Sequence, residues 1–413
     1  MVNEVLRTDI PNDWDVITLG DYAQIFRGGS PRPIQAFLTT SDQGINWIKI
    51  GDVGAGEKFI ESTEEKIIPE GVSRSRMVYK GDLILSNSMS YGRPYIMNIE
   101  GCIHDGWLVI QKYDRLFNRE YLYYALSSDL TMQQYVAMAA GSSVQNLNKE
   151  KVSKVVLPCP KISEQKKIAE VLSSIDALIV DLQKLIRKKK DIRQGTMQML
   201  VTGKKRLDGF DGEWVKINLS KNSKLKARIG WQGLTTAEYL DEGYSYLITG
   251  TDFKDGQINW NGCHYVDYNR YEQDPNIQVS NGDLLLTKDG TIGKVAYVAD
   301  LTRPATLNSG VFLVKPITDA YTAHFVFYVL ESSVFKDFLQ QLSAGSTINH
   351  LYQKDLVKFD LYVPPTKEEQ EAIAAILFDM DSDIHKLEAK LEKYQKVKQG
   401  MTEELLTGKV RLM

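Results

Sequence analysis

The sequence predicts an α+β protein in which two globular modules of mixed α and β structure are separated by two long helices that form an antiparallel coiled coil. Three observations predict this architecture: an internal repeat, a heptad pattern in each copy of the repeat, and short apolar strands that follow glycine turns. With 413 residues, the chain is long enough for several domains with cores of their own. Because the copies are similar, we expect an approximate two-fold axis within the single polypeptide.

The repeat consists of two series of residues in the same order. Gly141 recurs as Gly345, a shift of 204 residues, and Gln165 recurs as Gln370, a shift of 205. The first series contains Gly141, Ser142, Ser143, Leu147, Pro160, Glu164, Gln165, Asp176, Thr202, Gly203, Lys204 and Arg206. The second contains Gly345, Ser346, Thr347, Leu351, Pro365, Glu369, Gln370, Asp381, Thr407, Gly408, Lys409 and Arg411. Two similar halves imply two related surfaces in one chain.

A heptad pattern follows the proline residues of each copy. Apolar residues advance there by steps of four and three, which is the pattern of a coiled-coil seam. The seams consist of Ile168, Leu172, Ile175, Ile179, Leu182 and Ile186 in one copy and of Ile373, Leu377, Met380, Ile384, Leu387 and Leu391 in the other. We expect the first helix to run from about residue 163 to residue 199, roughly 55 Å at 1.5 Å per residue. The alternative is that each seam packs on its own module as an ordinary amphipathic helix.

The helical pattern divides the chain into four segments. Residues 1–157 and 208–362 are the two globular modules, module 1 and module 2, and residues 158–207 and 363–413 are the helical regions. Each module has a Gly-Asp turn before an apolar strand, and a polar loop closed by glycine after it. These loops differ in sequence although the frame is shared, which is typical of modules that recognise different targets.

Composition narrows the class of protein. The net charge of −3 argues against a protein that holds nucleic acid over its whole surface. Cations nevertheless crowd one part of the first helix, where they form either a solvated face or a partner site: Lys184, Arg187, Lys188, Lys189, Lys190 and Arg193. The three cysteines fit a reducing compartment, and without an apolar stretch long enough to cross a bilayer we expect a cytoplasmic protein that contacts no membrane. Two Cys/His pairs lack a second pair at zinc-ligand spacing, so no metal is expected.

Taken together, the repeated motifs indicate one protein family, whereas any one of them alone would be a weak signal. Glu164-Gln165 with Thr202-Gly203-Lys204, repeated as Glu369-Gln370 with Thr407-Gly408-Lys409, resembles the specificity subunit of a type I restriction-modification enzyme over essentially the whole chain. The resemblance implies that each module is a target-recognition domain for one half of a split, asymmetric site in double-stranded DNA. It also implies that the helices set the gap between the half-sites and dock modification (methyltransferase) subunits, two of them by expectation.

In that family the modification subunits use S-adenosylmethionine to methylate adenine, and restriction (translocase and nuclease) subunits use ATP and Mg. The resemblance therefore implies a non-catalytic chain that binds no cofactor of its own. The sequence agrees, since Pro364-Pro365 follows Val363 rather than the Asn or Asp of an adenine-methyltransferase motif, and no Gly-Lys pair continues into Ser or Thr. A coiled-coil scaffold that bridges two protein partners remains the alternative, and an enzyme in its own right is a weaker one.

DNA contact requires polar loop residues that match base edges or phosphates. The candidates in module 1 are Arg27, Ser30, Arg32, Lys49, Arg74, Arg76, Asn87, Ser88, Tyr91 and Arg93. The candidates in module 2 are Lys226, Arg228, Trp231, Gln232, Lys254, Arg270, Lys288, Thr291 and Lys294. Those beside glycine-rich or strand-ending loops rank highest: Arg27, Arg32, Asn87, Lys288 and Lys294. For each, an exposed side chain without a specific contact is the alternative.

Two further expectations concern the chain alone. Its near-neutral charge predicts weak DNA binding until modification subunits close around the duplex and add phosphate contacts. Apolar residues beside the heptad seams, such as Val171, Leu178, Leu185 and Ile376, predict that the isolated chain is poorly soluble.

Overall fold

Residues 10–54, 56–87, 91–139, 147–230, 233–343 and 350–412 are described by the computed structural model of the protein. The chain divides into unit 1, Met1–Gln183 with Ala389–Met413, and unit 2, Lys184–Glu388. Each unit therefore combines a module with stretches of both helical regions. The four predicted segments follow secondary structure, whereas the units follow packing. The glycine-serine residues that open each repeat series, 141–143 and 345–347, lie outside the described residues.

Unit 1 contains two five-stranded sheets, ordered β2-β11-β8-β9-β5 and β3-β6-β4-β10-β7, and the antiparallel pair β1-β12. Its strands are β1 (Asp15–Thr18), β2 (Gln24–Arg27), β3 (Leu38–Thr39), β4 (Ile45–Ile48), β5 (Phe59–Ile60), β6 (Glu65–Ile67), β7 (Arg76–Val78), β8 (Leu83–Ser86), β9 (Pro94–Met97), β10 (Gly101–Ile103), β11 (Trp107–Gln111) and β12 (Val156–Cys159). Its shorter helices are α1 (Leu19–Tyr22), α2 (Arg119–Ser127), α3 (Asp129–Ala139) and α4 (Lys149–Ser153).

Unit 2 repeats this plan with shorter sheets, ordered β14-β23-β20-β21 and β18-β15-β22-β19, and with the pairs β13-β24 and β16-β17. Its strands are β13 (Val215–Asn218), β14 (Ser223–Lys226), β15 (Ser245–Ile248), β16 (Phe253–Lys254), β17 (Gln257–Ile258), β18 (His264–Val266), β19 (Gln278–Val279), β20 (Leu284–Thr287), β21 (Val295–Tyr297), β22 (Ala305–Leu307), β23 (Val311–Pro316) and β24 (Asp360–Val363). Its shorter helices are α6 (Leu219–Asn222), α7 (Tyr268–Glu272), α8 (Ala323–Glu331), α9 (Ser333–Ser343) and α10 (Gln353–Leu356).

The strand after each Gly-Asp turn lies at the centre of its sheet, as the apolar run predicts. Gly81 and Gly282 turn the chain with φ of 96° and 90°, a conformation that glycine adopts without strain. β8 pairs antiparallel with β9 and β11, and β20 pairs antiparallel with β21 and β23. Both strands are buried along their whole length. The shared frame of the modules is thus built around equivalent strands.

The long helices are α5 (Ile162–Val201) and α11 (Lys367–Leu406), each of 40 residues. The predicted bounds of the first helix are confirmed to within two residues. In unit 1, Leu172 of α5 shares a core with Leu405 of α11, whereas in unit 2 Leu200 of α5 shares a core with Ile373 of α11. Early residues of one helix thus pack with late residues of the other. The predicted antiparallel pairing and the α+β class are confirmed.

The Glu-Gln motif joins the start of each long helix to its module. Gln165 accepts from the backbone N of Asn118 at 2.8 Å and donates to the carbonyl O of Pro160 at 2.9 Å. Gln370 makes the same two bonds with Thr322, at 2.7 Å, and with Pro364, at 2.9 Å. Both glutamines are buried, so each one satisfies backbone groups that water cannot reach.

The glutamate of the motif binds the arginine that closes the other copy of the repeat. Glu164 accepts from Nε of Arg411 at 2.8 Å, and Glu369 accepts from Nε of Arg206 at 2.6 Å. Each unit is therefore completed by the closing motif of the opposite half of the sequence. No helix in the described part of the chain is long and apolar enough to span a membrane.

Candidate DNA-binding surface

Several predicted contact residues of module 1 converge on Asp105, in the turn between β10 and β11. We call Arg27, Ser30, Arg32, Asn87 and Asp105 the Asp105 cluster. Arg27 Nε and Asn87 Nδ2 donate to the Asp105 carbonyl O at 3.0 and 2.9 Å. The Ser30 hydroxyl donates to Oδ1 of Asp105 at 2.7 Å, and Nη2 of Arg27 and of Arg32 each lie 3.9 Å from Oδ2. These contacts bring the residues at the ends of β2 and β8 together at the β10–β11 turn.

Glycine permits this convergence. The backbone N of Gly28 donates to the Trp107 carbonyl O at 2.9 Å, which continues the pairing of β2 with β11. A Cβ at Gly28 would lie 2.1 Å from the carbonyl O of His104, which is an impossible approach. The glycine-rich loop is therefore required for the close passage of backbone past the β10–β11 turn.

The cluster combines a fixed carboxylate with exposed cations. The hydrogen bond from Ser30 holds the pKa of Asp105 below its ordinary value, so the carboxylate is charged at neutral pH. The Arg27 and Arg32 side chains are 56% and 81% exposed. Exposed ion pairs contribute little to stability, so these guanidinium groups can exchange Asp105 for a phosphate or a base edge. Asn87, by contrast, is buried, and its amide supports the turn.

Two further candidates of module 1, Arg74 and Arg76, lie beside the Asp105 cluster. Arg74 lies over the Phe37 ring at 5.3 Å and Arg76 over the Phe26 ring at 4.8 Å. A Cβ at Gly29 would lie 3.0 Å from the carbonyl O of Arg74, so this pair borders the Asp105 cluster.

Three other candidates of module 1 are Lys49, Tyr91 and Arg93. Lys49 pairs with Glu65 at 3.1 Å, and Tyr91 donates through its hydroxyl to the Tyr135 carbonyl O at 3.2 Å. Arg93 is exposed beside β9. The candidate Ser88 lies outside the described residues.

Module 2 places different side chains at the equivalent strand ends. Val311 pairs with Thr287 as Trp107 pairs with Ser86, so by this register Ser309 has the position of Asp105. Lys288 replaces Asn87, and the backbone N of each donates to a glycine carbonyl O, of Gly310 and Gly106, at 2.9 Å. The same backbone frame therefore carries a cation in module 2 where module 1 carries a buried amide.

Arg228 is the least expected of the module 2 candidates, because its side chain is buried. Its Nε donates to the Leu307 carbonyl O at 2.9 Å and its Nη2 to the Thr306 hydroxyl at 3.2 Å. Lys226 is exposed at the end of β14, and Lys288 lies over the Phe312 ring at 5.4 Å. Together with the segment 350–353, these residues line a groove of about 550 Å³.

The other described module 2 candidates do not line this groove, although the charge of Arg270 acts on Arg228. Arg270 pairs with Glu238; a backbone hydrogen bond from Thr235 and the Arg270 guanidinium lower the pKa of Glu238 to about 2. Lys254 is exposed on β16, and Thr291 and Lys294 are exposed in and after the loop that follows β20. The candidates Trp231 and Gln232 lie outside the described residues.

The sequence analysis missed the acidic partners in both modules. Asp105 is absent from the predicted contact residues, and its role follows only from the meeting of three loops. His350 and Asp289 form a hydrogen bond beside the module 2 groove, although 61 residues separate them. Asp105 lies two residues before β11 and Asp289 two residues after β20, so a polar residue within two positions of an apolar strand is the signal that would have included both.

Within the described residues, no group of three or more His, Cys, Asp or Glu side chains is placed to hold a metal ion. Cys102 and Cys263, the cysteines of the two Cys/His pairs, are buried. Burial raises the pKa of the Cys263 thiol to about 12, so this side chain is neutral at physiological pH.

Comparison with known proteins identifies the family. A family model for the type I restriction modification DNA specificity domain matches residues 11–194 and again residues 204–398. The chain belongs to this family. The two matches coincide with the two halves of the repeat, so both modules, each with its following helix, are specificity domains of this type.

Relatives of this specificity family extend over nearly the whole chain. The type I restriction enzyme MjaVIII specificity subunit of Methanocaldococcus jannaschii is 24% identical over 421 residues, with 98% of this chain and 94% of that protein covered. The EcoBI specificity subunit of Escherichia coli is 22% identical, covering 89% of this chain and 79% of its own. The crystal structure of a type I restriction-modification S subunit from M. genitalium has the same fold, with a TM-score of 0.61 at 15% identity over 97% of both chains.

Proposed function

We propose that this chain is the DNA sequence-recognition subunit of a type I restriction-modification complex, and that each module reads one half of a split, asymmetric site in double-stranded DNA. The observation that carries the proposal is the pair of equivalent strand ends with unlike side chains. Where module 1 has Asn87 and Asp105, module 2 has Lys288 and Ser309 on the same backbone hydrogen-bond frame. Identical frames with different donors and acceptors suit two different half-sites.

The predicted residues divide into two roles under this proposal. Arg27 and Arg32 are exposed and weakly paired, which suits contact with guanine acceptors or phosphates. In module 2, cations also stand at strand ends: Lys226, Lys288 and Lys294. Asn87 is buried and supports the turn that presents the arginines, so its substitution acts through position rather than through contact.

The long helices supply the second part of the proposal, the docking of modification subunits. Apolar side chains that are more than one-third exposed lie along α5 and α11: Leu178, Leu185, Ile192, Ile376 and Phe378. Exposed apolar rows of this kind mark protein interfaces. We propose that two modification subunits bind here and use S-adenosylmethionine for adenine methylation, that restriction subunits use ATP and Mg, and that the complex acts on DNA in the cytoplasm.

The test of recognition is the adenine methylation pattern of the host genome, with and without this gene. We expect one bipartite methylated motif to disappear on deletion. A variant with Arg27→Ala and Arg32→Ala should alter methylation in one half of that motif only, because module 2 is unchanged. A pattern that survives deletion contradicts the proposal, and an effect on both halves contradicts the division of labour between modules.

The test of the helices is an insertion of four residues in α5 together with four in α11. Four residues add about 6 Å of helix, and a base pair rises about 3.4 Å, so the gap should grow by roughly one to two base pairs while the half-sites stay the same. An unchanged gap in the methylated motif would show that the helices do not set it.

The test of docking uses the isolated chain in gel filtration. We expect it to aggregate and to shift DNA weakly, because the apolar helix faces are uncovered. Substitution of both Leu185 and Ile192 by Gln should reduce aggregation of the isolated chain and abolish its assembly with modification subunits. Unimpaired assembly of this variant would place the docking surface elsewhere.

A further inference from the structure

The groove of module 2 contains a buried guanidinium with one unused nitrogen. We call the groove lined by Lys226, Arg228, Lys288, His350 and Tyr352 the Arg228 groove. Arg228 is only 2% exposed. Its Nη1 is buried and has no hydrogen-bond partner among the described residues, whereas its Nε and Nη2 are both bonded.

An unpaired donor of this kind is expensive to maintain. A buried charged group that keeps a donor without an acceptor destabilises the folded state, because the desolvation of that donor is not compensated. Burial lowers the pKa of Arg228, but a guanidinium stays protonated at physiological pH, so the charge remains. The two bonds to Leu307 and Thr306 hold the group in one orientation. The side chain is thus fixed as a donor for an acceptor that the described residues do not supply.

The charges around the groove favour an anion as that acceptor. Lys226 and Lys288 add two cations beside Arg228. Of the nearby carboxylates, Asp289 is hydrogen-bonded to His350, and Asp274, which also lines the groove, accepts from the Asn276 backbone N at 3.0 Å.

The charges of the remaining neighbours, Arg270 and Glu238, cancel because the two side chains form an ion pair. In module 1 the carboxylate of Asp105 faces the exposed arginines, and by register Ser309 stands there in module 2. Module 2 therefore lacks a carboxylate at the position of Asp105, and among the described residues the groove is lined by three cationic side chains, Lys226, Arg228 and Lys288, and by one carboxylate, Asp274.

We infer that the Arg228 groove binds one backbone phosphate of the DNA beside the half-site read by module 2; this inference rests on the proposed function. A phosphate projects from the duplex and accepts several hydrogen bonds, so it can meet Nη1 of Arg228 while Lys226 and Lys288 approach from the sides. A base edge lies recessed in the DNA groove and suits the exposed side chains better. Arg228 thereby fixes the register of module 2 on the duplex and reads no base.

The experiment compares the wild-type chain with Arg228→Met, each assembled with its modification subunits, in DNA binding over a range of salt concentrations. We expect the affinity of the variant to fall about tenfold and its salt slope to decrease by about one, with the methylated motif unchanged. Lys336→Met, which removes an exposed cation on α9, is the control and should behave as wild type. A relaxed base position or an unchanged salt slope in Arg228→Met overturns the inference.

A second measurement locates the phosphate. Neutral methylphosphonate linkages, placed one at a time along the site, should weaken wild-type binding at one linkage beside the second half-site and have no effect there on Arg228→Met. Absence of such coupling at every linkage overturns the inference. If methionine at position 228 prevents folding, Lys226→Met at the exposed mouth of the groove replaces it in both assays.

Two controls separate related outcomes. Inorganic phosphate at constant ionic strength should not compete with DNA more strongly than chloride does; strong competition would mean that the groove takes a free phosphate rather than the DNA backbone, and would overturn the inference. Wild-type complex that neither binds nor methylates any specific site contradicts the proposed function itself, whereas a failure confined to the Arg228 comparisons contradicts only this inference.

Discussion

Units 1 and 2 hold the long helices by equivalent contacts but end their central strands with different chemistry. In unit 1, Asp176 of α5 pairs with Lys398 of α11 at 2.5 Å; in unit 2, Asp381 of α11 pairs with Arg193 of α5 at 2.8 Å. In each unit the aspartate and the cation lie on opposite long helices, and which helix carries the aspartate differs between the units. Contacts between module and helix are therefore repeated, while loop residues diverge. The contacts that hold the long helices are thus common to both units, whereas the residues at the strand ends differ.

The repetition is not perfect even inside the frame. Trp14 Nε1 donates to Glu164 at 3.2 Å, whereas Trp214 Nε1 is buried and lacks a partner among the described residues. Both carboxylate oxygens of Glu369 accept from Arg206, at 2.6 and 2.8 Å. In unit 1, Arg411 also binds Asp13. The arginine of the closing motif thus binds two carboxylates in unit 1, where Arg411 contacts Glu164 and Asp13. In unit 2 it binds one, where Arg206 contacts Glu369.

The largest expected effect is on the closing pair of unit 2. Glu369→Ala leaves Arg206 without its carboxylate at a site where the glutamate is 1% exposed, so we expect the free energy of unfolding of unit 2 to fall by about 3 kcal/mol. Denaturant unfolding of the variant provides the measurement. Glu368→Ala, one residue earlier and exposed, is the control. A loss below that of the control would mean that the pair does not hold the closing motif.

The next comparison concerns the aspartates that pair with the opposite long helix. Asp381→Ala should destabilise its unit by about 2 kcal/mol and Asp176→Ala by about 1 kcal/mol, because Arg193 is 15% exposed and Lys398 is 35% exposed and can turn to water. Each aspartate also accepts from a tyrosine hydroxyl, so that contribution cancels in the comparison. Asp379→Ala on the exposed side of α11 is the control. Equal losses would show that burial of the cation does not decide the contribution.

Acid should weaken unit 1 through the same closing motif. Hydrogen bonds from Arg411 lower the pKa of Glu164 and of Asp13 in the folded state. A lowered folded pKa contributes stability that is complete above the unfolded pKa, near 4, and is lost as the pH falls through the folded value. Stability of unit 1 should therefore decline below about pH 4, and Arg411→Met should flatten that decline. Parallel pH curves for the variant and the wild type would contradict this assignment.

The smallest expected effect separates the two tryptophans. Trp14→Phe and Trp214→Phe remove the same atoms, but only Trp14 loses a hydrogen bond. We expect the free energy of unfolding to fall by about 1 kcal/mol more for Trp14→Phe. The comparison uses thermal or denaturant unfolding of both variants. A larger loss for Trp214→Phe would indicate that its indole N–H has a partner in solution.

The sequence predicted the frame better than the site. Gln165 and Gln370 stood out as motif residues, yet their bonds to a proline carbonyl and to the N-terminus of an aromatic helix became visible only in the structure. Asn87 and Arg228 were selected as polar residues in loops, but both are buried. Polarity alone does not reveal exposure, because a buried polar group is accommodated wherever the fold supplies partners.

The sequence by itself determined the repeat, the extent of the first long helix and the antiparallel sense of the helix pair. Each of these follows from periodicity, which is a local property of the chain. Only the tertiary structure shows that Arg411 binds Glu164 and that the arginines of module 1 lie around Asp105. It also shows that Nη1 of Arg228 has no hydrogen-bond partner among the described residues. These meetings join residues up to 247 positions apart. No periodic signal connects them, because they depend on how sheets and loops fold back in three dimensions.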